Sequence, residues 1–383
     1  MRAIEIYDTT LRDGEQAPGA AMQPEQKLTV ALALKDLGVN TIEAGYRAAS
    51  ANDAYAVAEI STICKGCRIS AFARTTQGDI EAATEALRSA DQPRITLVMP
   101  SSDLHIYSKL RIDRLQALEM LSKMVSLARN NCAEVEVIAE DATRADSVFL
   151  GDLYRTAILS GAGFFTLADT VGYATPEDIK MYFKSLIGVD LGSAVACLGI
   201  HCHDDLGLAT INTLVGLEAG AQQAHCTMNG VGERAGNAAL EEIVMAISVR
   251  SDSFPFSHSI DTTCLWPVSR TVSNMTSFIV PPNKAIVGHN AFAHGAGLHQ
   301  DGMLKDTMMY EIMTPERVGA PARRLPITRH SGRKGLAARL LELEIEVRPE
   351  DIDALYMHVQ DLLVNQKFMS DSDLLRAVSN LNK

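Results

Sequence analysis

Val195-Ala-Cys-Leu-Gly-Ile-His-Cys-His203, then Asp204-Asp205, then Leu206–Ala219, is the stretch on which the fold turns. The apolar run reads as a parallel strand buried on both faces. Leu206–Ala219 opens an apolar pattern at helical spacing, so the unit reads strand, acidic loop, helix. Side chains alternate across a strand, so His201 and His203 point one way and Cys202 the other. Two imidazoles on one face at the carboxyl end of a strand make half a metal site. A hydrogen-bonded histidine pair explains them equally well until the rest of the chain is read.

Outward from this unit the same rhythm repeats. Strands are expected at Ala3–Tyr7, Asn40–Ala44, Arg68–Ala73, Arg94–Met99, Glu134–Ala139, Gly163–Ala168, Val195–Cys202 and Gln222–Thr227. Helices are expected at Pro24–Leu37, Asn52–Cys64, Asp79–Ser89, Asp113–Asn130, Asp146–Ser160, Pro176–Leu186, Leu206–Ala219 and Ala238–Val249. Eight strand–helix units in about 250 residues are the count and length of a (β/α)8 TIM barrel. A doubly wound open sheet competes, but no G-x-G-x-x-G follows the first strand. Past about residue 252 the rhythm stops. The expected organisation is a catalytic barrel over 1–255, a linker and Gly/His-rich subdomain over 256–330, and a helical carboxyl-terminal subdomain over 331–383.

Polar residues gather where a barrel carries chemistry, at the carboxyl ends of its strands. Asp8-Thr-Thr-Leu-Arg-Asp-Gly-Glu-Gln16 follows the first strand, Glu43 the second, Glu140-Asp141 the fifth and Asp169-Thr170 the sixth. The histidines close the seventh, and Asn229-Gly-Val-Gly-Glu-Arg-Ala-Gly-Asn237 follows the eighth. Asp141, Asp146 and Thr175 read as helix caps, but capping does not account for charged groups at six strand ends. Asp13, His201 and His203 offer one carboxylate and two imidazoles, with Asn237 as a weak fourth ligand. That oxygen and nitrogen set with open positions suits Mn2+, Mg2+ or Zn2+ as a Lewis acid. Such an ion would chelate a 2-oxo acid through its carbonyl and carboxylate. Arg12 would then stabilise charge on the carbonyl oxygen, and Glu140 and His299 are the acid–base candidates. On composition alone His299 reads as a hydrogen-bonded histidine of a Gly-rich loop.

Asp8–Gln16, His201-Cys-His-Asp-Asp-Leu-Gly207 and Gly230-Val-Gly-Glu-Arg-Ala-Gly-Asn237 resemble the signature motifs of the 2-isopropylmalate synthase and homocitrate synthase family. Asp169–Pro176, Pro282–Gly288, His299–Lys305 and Tyr310–Met313 are similar to its isopropylmalate branch, so the resemblance spans nearly the whole chain. It implies a metal-dependent TIM-barrel acyltransferase that condenses acetyl-CoA with a 2-oxo acid. It implies Asp13, His201 and His203 as ligands with Asn237 close by, Arg12 on the substrate carbonyl and Thr170 on its carboxylate. Glu140, His299 and Tyr310 would serve acid–base chemistry, the last two supplied by the other subunit of a domain-exchanged homodimer.

The departures concern the 2-oxo acid pocket. Thr96, Ile138 and Thr166 stand where the branch has His, Ser and Asn, and Gly45-Tyr46-Arg47 replaces Gly-Phe-Pro. Homocitrate synthases place a basic residue for a distal carboxylate, which makes Arg47 a candidate for 2-oxoglutarate. The chain ends near residue 383 without the family's leucine-sensing domain, and insensitivity to leucine is expected. A metal- and ligand-binding paralogue without turnover would release no thiol from acetyl-CoA, and a retro-aldol lyase would need no acetyl donor.

The net charge of −12 argues against nucleic acid or an anionic membrane as the main partner. No apolar run reaches the roughly 18 residues of a transmembrane helix. No secretory leader is expected, because Met1 runs straight into a strand. Seven scattered cysteines suit a reducing cytoplasm. Cys64-Lys-Gly-Cys67 reads as a helix end, since no second pair follows at zinc spacing.

Overall fold

Eight parallel strands close a barrel in the computed structural model, which describes residues 1–381. They are β1 (Glu5–Asp8), β2 (Thr41–Glu43), β3 (Arg68–Arg74), β4 (Gln92–Pro100), β5 (Glu134–Glu140), β6 (Phe164–Asp169), β7 (Cys197–Cys202) and β8 (Gln223–Cys226). Each pairs with the next, and β8 returns to β1 with His225 level with Tyr7. Between and after them run α1 (Pro24–Leu37), α2 (Ala51–Ile63), α3 (Gln77–Ala86), α4 (Arg114–Asn131), α5 (Ser147–Leu159), α6 (Pro176–Ile187), α7 (Ala209–Glu218) and α8 (Leu240–Val249). The TIM barrel expected from the rhythm is the fold.

Local chemistry starts these helices. Pro24 stands in the first turn of α1, where a missing N–H costs nothing. Thr175 Oγ1 accepts from the Asp178 N–H while the Asp178 carboxylate accepts from the Thr175 N–H, a reciprocal cap for α6. Asp146 caps α5 by accepting from the Phe149 N–H at 2.9 Å. Asp141 does not cap as expected. Its backbone is left-handed at φ 62, and its carboxylate instead accepts from Ser102 Oγ at 2.5 Å and Arg144 Nε at 2.7 Å.

Of the other boundaries that differ from the sequence reading, three have a visible physical cause. The first strand is split, because Arg2–Ala3 pairs with Phe256–Ser257 outside the barrel before the chain enters β1. The seventh begins at Cys197, since Val195 is 91% exposed. Asp204 to Gly207 form a turn closed by a 2.8 Å bond, and Asp204 Oδ1 takes the Ala209 N–H, which delays α7 to Ala209.

Contacts divide the chain into units Met1–Val280 and Pro281–Lys383. The first passes the expected limit at 255 because α9 (Leu265–Thr276), to which the sequence reading assigns no element, packs on α1. The expected 256–330 segment is therefore divided between the units. The second unit contains α10 (Gly297–Lys305), α11 (Arg333–Glu342), α12 (Ile352–Leu362) and α13 (Asp371–Leu381). Leu336, Leu340, Leu355, Val359, Leu363 and Leu374 form its core.

The barrel interior is polar at mid-depth. Arg94, with no exposed surface, donates to Glu134, Glu136 and Gln223, and Thr166 and His225 meet the other Glu136 oxygen. The Tyr7 ring stacks on His225 at 3.9 Å. All seven cysteines are unpaired. Burial pushes the Cys64 thiol up to about 11 and Cys67 to about 12, which leaves both protonated and poor nucleophiles. Among the described residues no helix is long and apolar enough to cross a membrane.

Candidate active site

The loop after β1 turns back on itself through N–H groups of Arg12, Asp13 and Gly14 that all reach the Thr9 carbonyl. That turn aims Asp13 at the top of β7. His201 Nε2 and His203 Nε2 lie 3.2 Å apart and 3.8 and 3.9 Å from Asp13 Oδ2. Among the described residues these three are the one His/Cys/Asp/Glu group whose ligand atoms converge, all within 4.8 Å. Asn237 reaches the same centre, donating Nδ2 to Asp13 Oδ1 at 2.9 Å, while its Oδ1 is buried without a hydrogen-bond partner. Gly232 permits this approach, since a Cβ there would sit 2.1 Å from Asn237 Nδ2.

The electrostatics fit a cation. Burial, reinforced by the other imidazole, pushes His201 well below the ordinary histidine range. Burial also lowers His203. Asp13 stays ionised: burial would raise its carboxyl, but Arg12 and the two histidines hold it below the usual range. Two neutral imidazole nitrogens and one carboxylate oxygen thus face a common point with lone pairs, which a divalent ion satisfies.

Arg12 is rigidly held. Its Nε donates to Glu43 Oε2 at 2.7 Å, its Nη1 to Asp13 Oδ2 at 2.6 Å, and its guanidinium lies over the Phe72 ring. Its Nη2 has no protein partner among the described residues. Glu43 is itself fixed by Thr9 Oγ1 at 2.8 Å. The sequence reading placed Glu43 at a strand end without a role, and the structure makes it the brace of Arg12.

A cavity of about 310 Å³ adjoins these groups, and Arg12, Asp13, Ile138, Glu140, Thr170, His201 and His203 are in its wall. Thr170 Oγ1 accepts from the Asp141 N–H at 2.8 Å, which leaves its own proton to donate. Thr96 and Thr166, expected in the pocket, lie beneath it instead. Both are wholly buried. Thr96 bonds Tyr7 and Ser70, and Thr166 bonds Glu136. The wall is made two residues higher on each strand, by Val98 above Thr96, Ala168 above Thr166 and Phe72 above Ser70. Period two marks both residues of each pair as inward-facing, and only the register of the closed barrel separates them. Arg47, half-buried in the loop after β2, is not in the lining.

His299 and Tyr310 belong to the second unit, and their rings stack at 4.3 Å. Tyr310 can lie against α10 because Gly302 has no side chain; a Cβ there would meet the ring at 2.4 Å.

Comparison with known proteins agrees with this geometry. An HMGL-like family model matches residues 3–272, and a homocitrate synthase post-HMGL domain-like model matches 286–367. A 2-isopropylmalate synthase of Carboxydothermus hydrogenoformans is 44% identical over 374 residues, 98% of this chain and 74% of that protein. One from Rhodopseudomonas palustris is 46% identical over 371 residues, 97% of this chain and 71% of that protein. Among solved structures, an HMG-CoA lyase from Brucella melitensis aligns with TM-score 0.62 and 20% identity over 72% of this chain and all of the lyase, which speaks to the fold. With a barrel model over its first unit and these relatives along nearly its full length, the chain belongs to the HMGL-like family, in its 2-isopropylmalate synthase branch.

Proposed function

We propose that this chain condenses acetyl-CoA with a 2-oxo acid bearing a small apolar side chain, as a 2-isopropylmalate synthase does with 2-oxoisovalerate. The observation that carries this reading is the meeting of Asp13, His201, His203 and Arg12 in one cavity whose remaining wall includes Phe72, Val98, Ile138 and Ala168. A divalent ion, Mn2+, Mg2+ or Zn2+, held by Asp13 and the two histidines supplies Lewis-acid polarisation of the carbonyl. Glu140 takes the proton from the acetyl methyl group, and the enolate carbon forms the new bond to the 2-oxo carbon. Arg12 Nη2 donates to the oxygen that gains charge, and its bonds to Glu43 and Asp13 mean that it does not reorganise. Thr170 donates to the substrate carboxylate. Water then cleaves the thioester, releasing CoA as a free thiol.

Both arginines of the lining are committed to carboxylates, Arg12 as above and Arg234 to Asp205 through two bonds of 2.8 Å. That disfavours 2-oxoglutarate, whose distal carboxylate would enter an apolar corner. Thiol release from acetyl-CoA with 2-oxoisovalerate, pyruvate, 2-oxobutyrate, phenylpyruvate and 2-oxoglutarate tests the reading. We expect 2-oxoisovalerate to exceed 2-oxoglutarate by at least about tenfold in kcat/KM, the scale of one or two hydrophobic contacts. No release with any acid would refute the reaction, and preference for 2-oxoglutarate would refute the pocket. Ile138→Ala should move preference toward phenylpyruvate by about tenfold or more. An unchanged ranking would take Ile138 out of the specificity wall.

We further propose that His299 and Tyr310 act in the partner subunit's site, in a domain-exchanged homodimer placed in the cytoplasm. Each dimer then has two sites, each built from one chain's barrel and the other chain's second unit. Mixing Arg12→Ala with His299→Ala subunits puts both lesions in one site of the heterodimer and none in the other. Random exchange should restore roughly a quarter of wild-type activity by this symmetry count. No recovery, with exchange verified by native mass spectrometry, would mean that each site is built within one chain.

A further inference from the structure

Beyond β4 the chain forms a short helical turn, Asp103–His105, that passes directly into a π-helical turn, Ile106–Leu110. Turns of this kind are rare and are frequently found at functional sites. This one ends with Arg111 in the left-handed region at φ 57, a conformation that costs a residue with a Cβ. Its result is contact with Glu140. Lys109 Nζ lies 2.5 Å from Glu140 Oε1, and His105 Nδ1 faces Oε2 at 3.4 Å.

A half-exposed lysine pair adds little to stability, so stability alone is a poor reason for a strained turn. Control of the carboxylate is a better one. We propose that Lys109 is a positioning residue for Glu140, which holds the carboxylate in one rotamer so that it is aimed as a base before the acetyl group arrives. The inference rests on Glu140 as the proton acceptor.

The other charged groups around Glu140 are accounted for. His105 Nε2 faces Asp141 Oδ2 at 3.6 Å, and Asp141 is bonded to Ser102 and Arg144. Arg12, Asp13, His201, His203, Glu233 and Arg234 line the same cavity, and Arg12 and Arg234 are bonded to other carboxylates. Among the described residues, the hydrogen bond to the Glu140 carboxylate comes from Lys109.

The test is kcat and KM for wild type, Lys109→Met, Lys109→Arg and Glu140→Gln, with Mn2+ titration and thermal melting to establish folded, metal-competent protein. Without its hydrogen-bond partner the Glu140 carboxylate is free to leave the rotamer that faces the acetyl methyl group, so Lys109→Met should lose kcat about three- to tenfold. KM for the 2-oxo acid should stay within about twofold of wild type. Lys109→Arg should restore kcat. An unchanged kcat in Lys109→Met, a loss confined to KM, or failure of arginine to restore kcat would each overturn the role of Lys109. Full activity in Glu140→Gln would overturn the underlying assignment of Glu140. An inactive Glu140→Gln beside a fully active Lys109→Met would remove the lysine's role alone.

Discussion

His201→Ala should lose at least about a thousandfold in kcat/KM and lose measurable Mn2+ binding, yet unfold within a few degrees of wild type. Lewis-acid assistance contributes several kcal/mol to a transition state in which charge develops on a carbonyl oxygen, and about 4 kcal/mol is a thousandfold. The imidazole is one of three converging donors, and the remaining pair is too weak a set to hold an ion in competition with water. The barrel ladder, by contrast, runs through the main chain, where His201 pairs with Ala168 and His225 whatever its side chain. Thiol release, calorimetric Mn2+ titration and thermal melting measure the three quantities on one preparation. Chelation of the wild-type enzyme should reproduce the loss, and added Mn2+ should reverse it. Full activity in the variant after exhaustive chelation would sink the assignment of the metal site.

Arg94→Met should cost about 3–5 kcal/mol of stability, the usual effect of removing one partner from a buried charge pair. Arg94 and Glu136 both have no exposed surface. Burial alone would raise the Glu136 carboxyl, but His225 and Arg94 hold it down at about 2. In wild type that depressed value contributes stability above the unfolded carboxylate range near pH 4.5, lost only as pH falls toward 2. Without Arg94 that contribution shrinks but keeps its sign, because the bonds from His225, Thr166 and Gln223 still hold the carboxyl down. The variant should therefore lose less stability than wild type as pH falls through 4.5 toward 2. Urea denaturation at pH 7 and across that acid range checks both statements. Arg94→Met/Glu136→Gln should recover much of the loss by removing the unpaired charge, and a double variant as unstable as the single one would place the cost in packing.

The barrel and the outline of the site were legible along the chain because each rests on local signals. Period-2 and period-3.6 patterns mark strands and helices one after another, and a sequence of such units admits few folds. The carboxyl ends of all eight strands meet at one rim in a parallel barrel. Asp13, His201 and His203 could therefore be expected together although nearly two hundred residues separate the first from the others. The asparagine and the arginine beside them followed from the same logic.

Depth within the barrel was not legible. Thr96 and Val98 point inward from the same strand, and sequence does not say which reaches the cavity. Strand tilt and the register of the closed ladder decide that, and they place Thr96 in the buried Tyr7–Ser70 layer and Val98 at the wall. Elements whose partners are remote in sequence were equally hidden. The split of the first strand depends on Phe256–Ser257, and α9 is a helix held by α1. The π-helical turn beyond β4 brings Lys109 to Glu140 at the end of β5, a contact between remote residues that carries no pattern of its own in the sequence. What the sequence determined by itself was which residues reach the rim, because periodicity is a property of the chain; what the tertiary structure decided was which of them touch, because distance across a barrel is set by its closure.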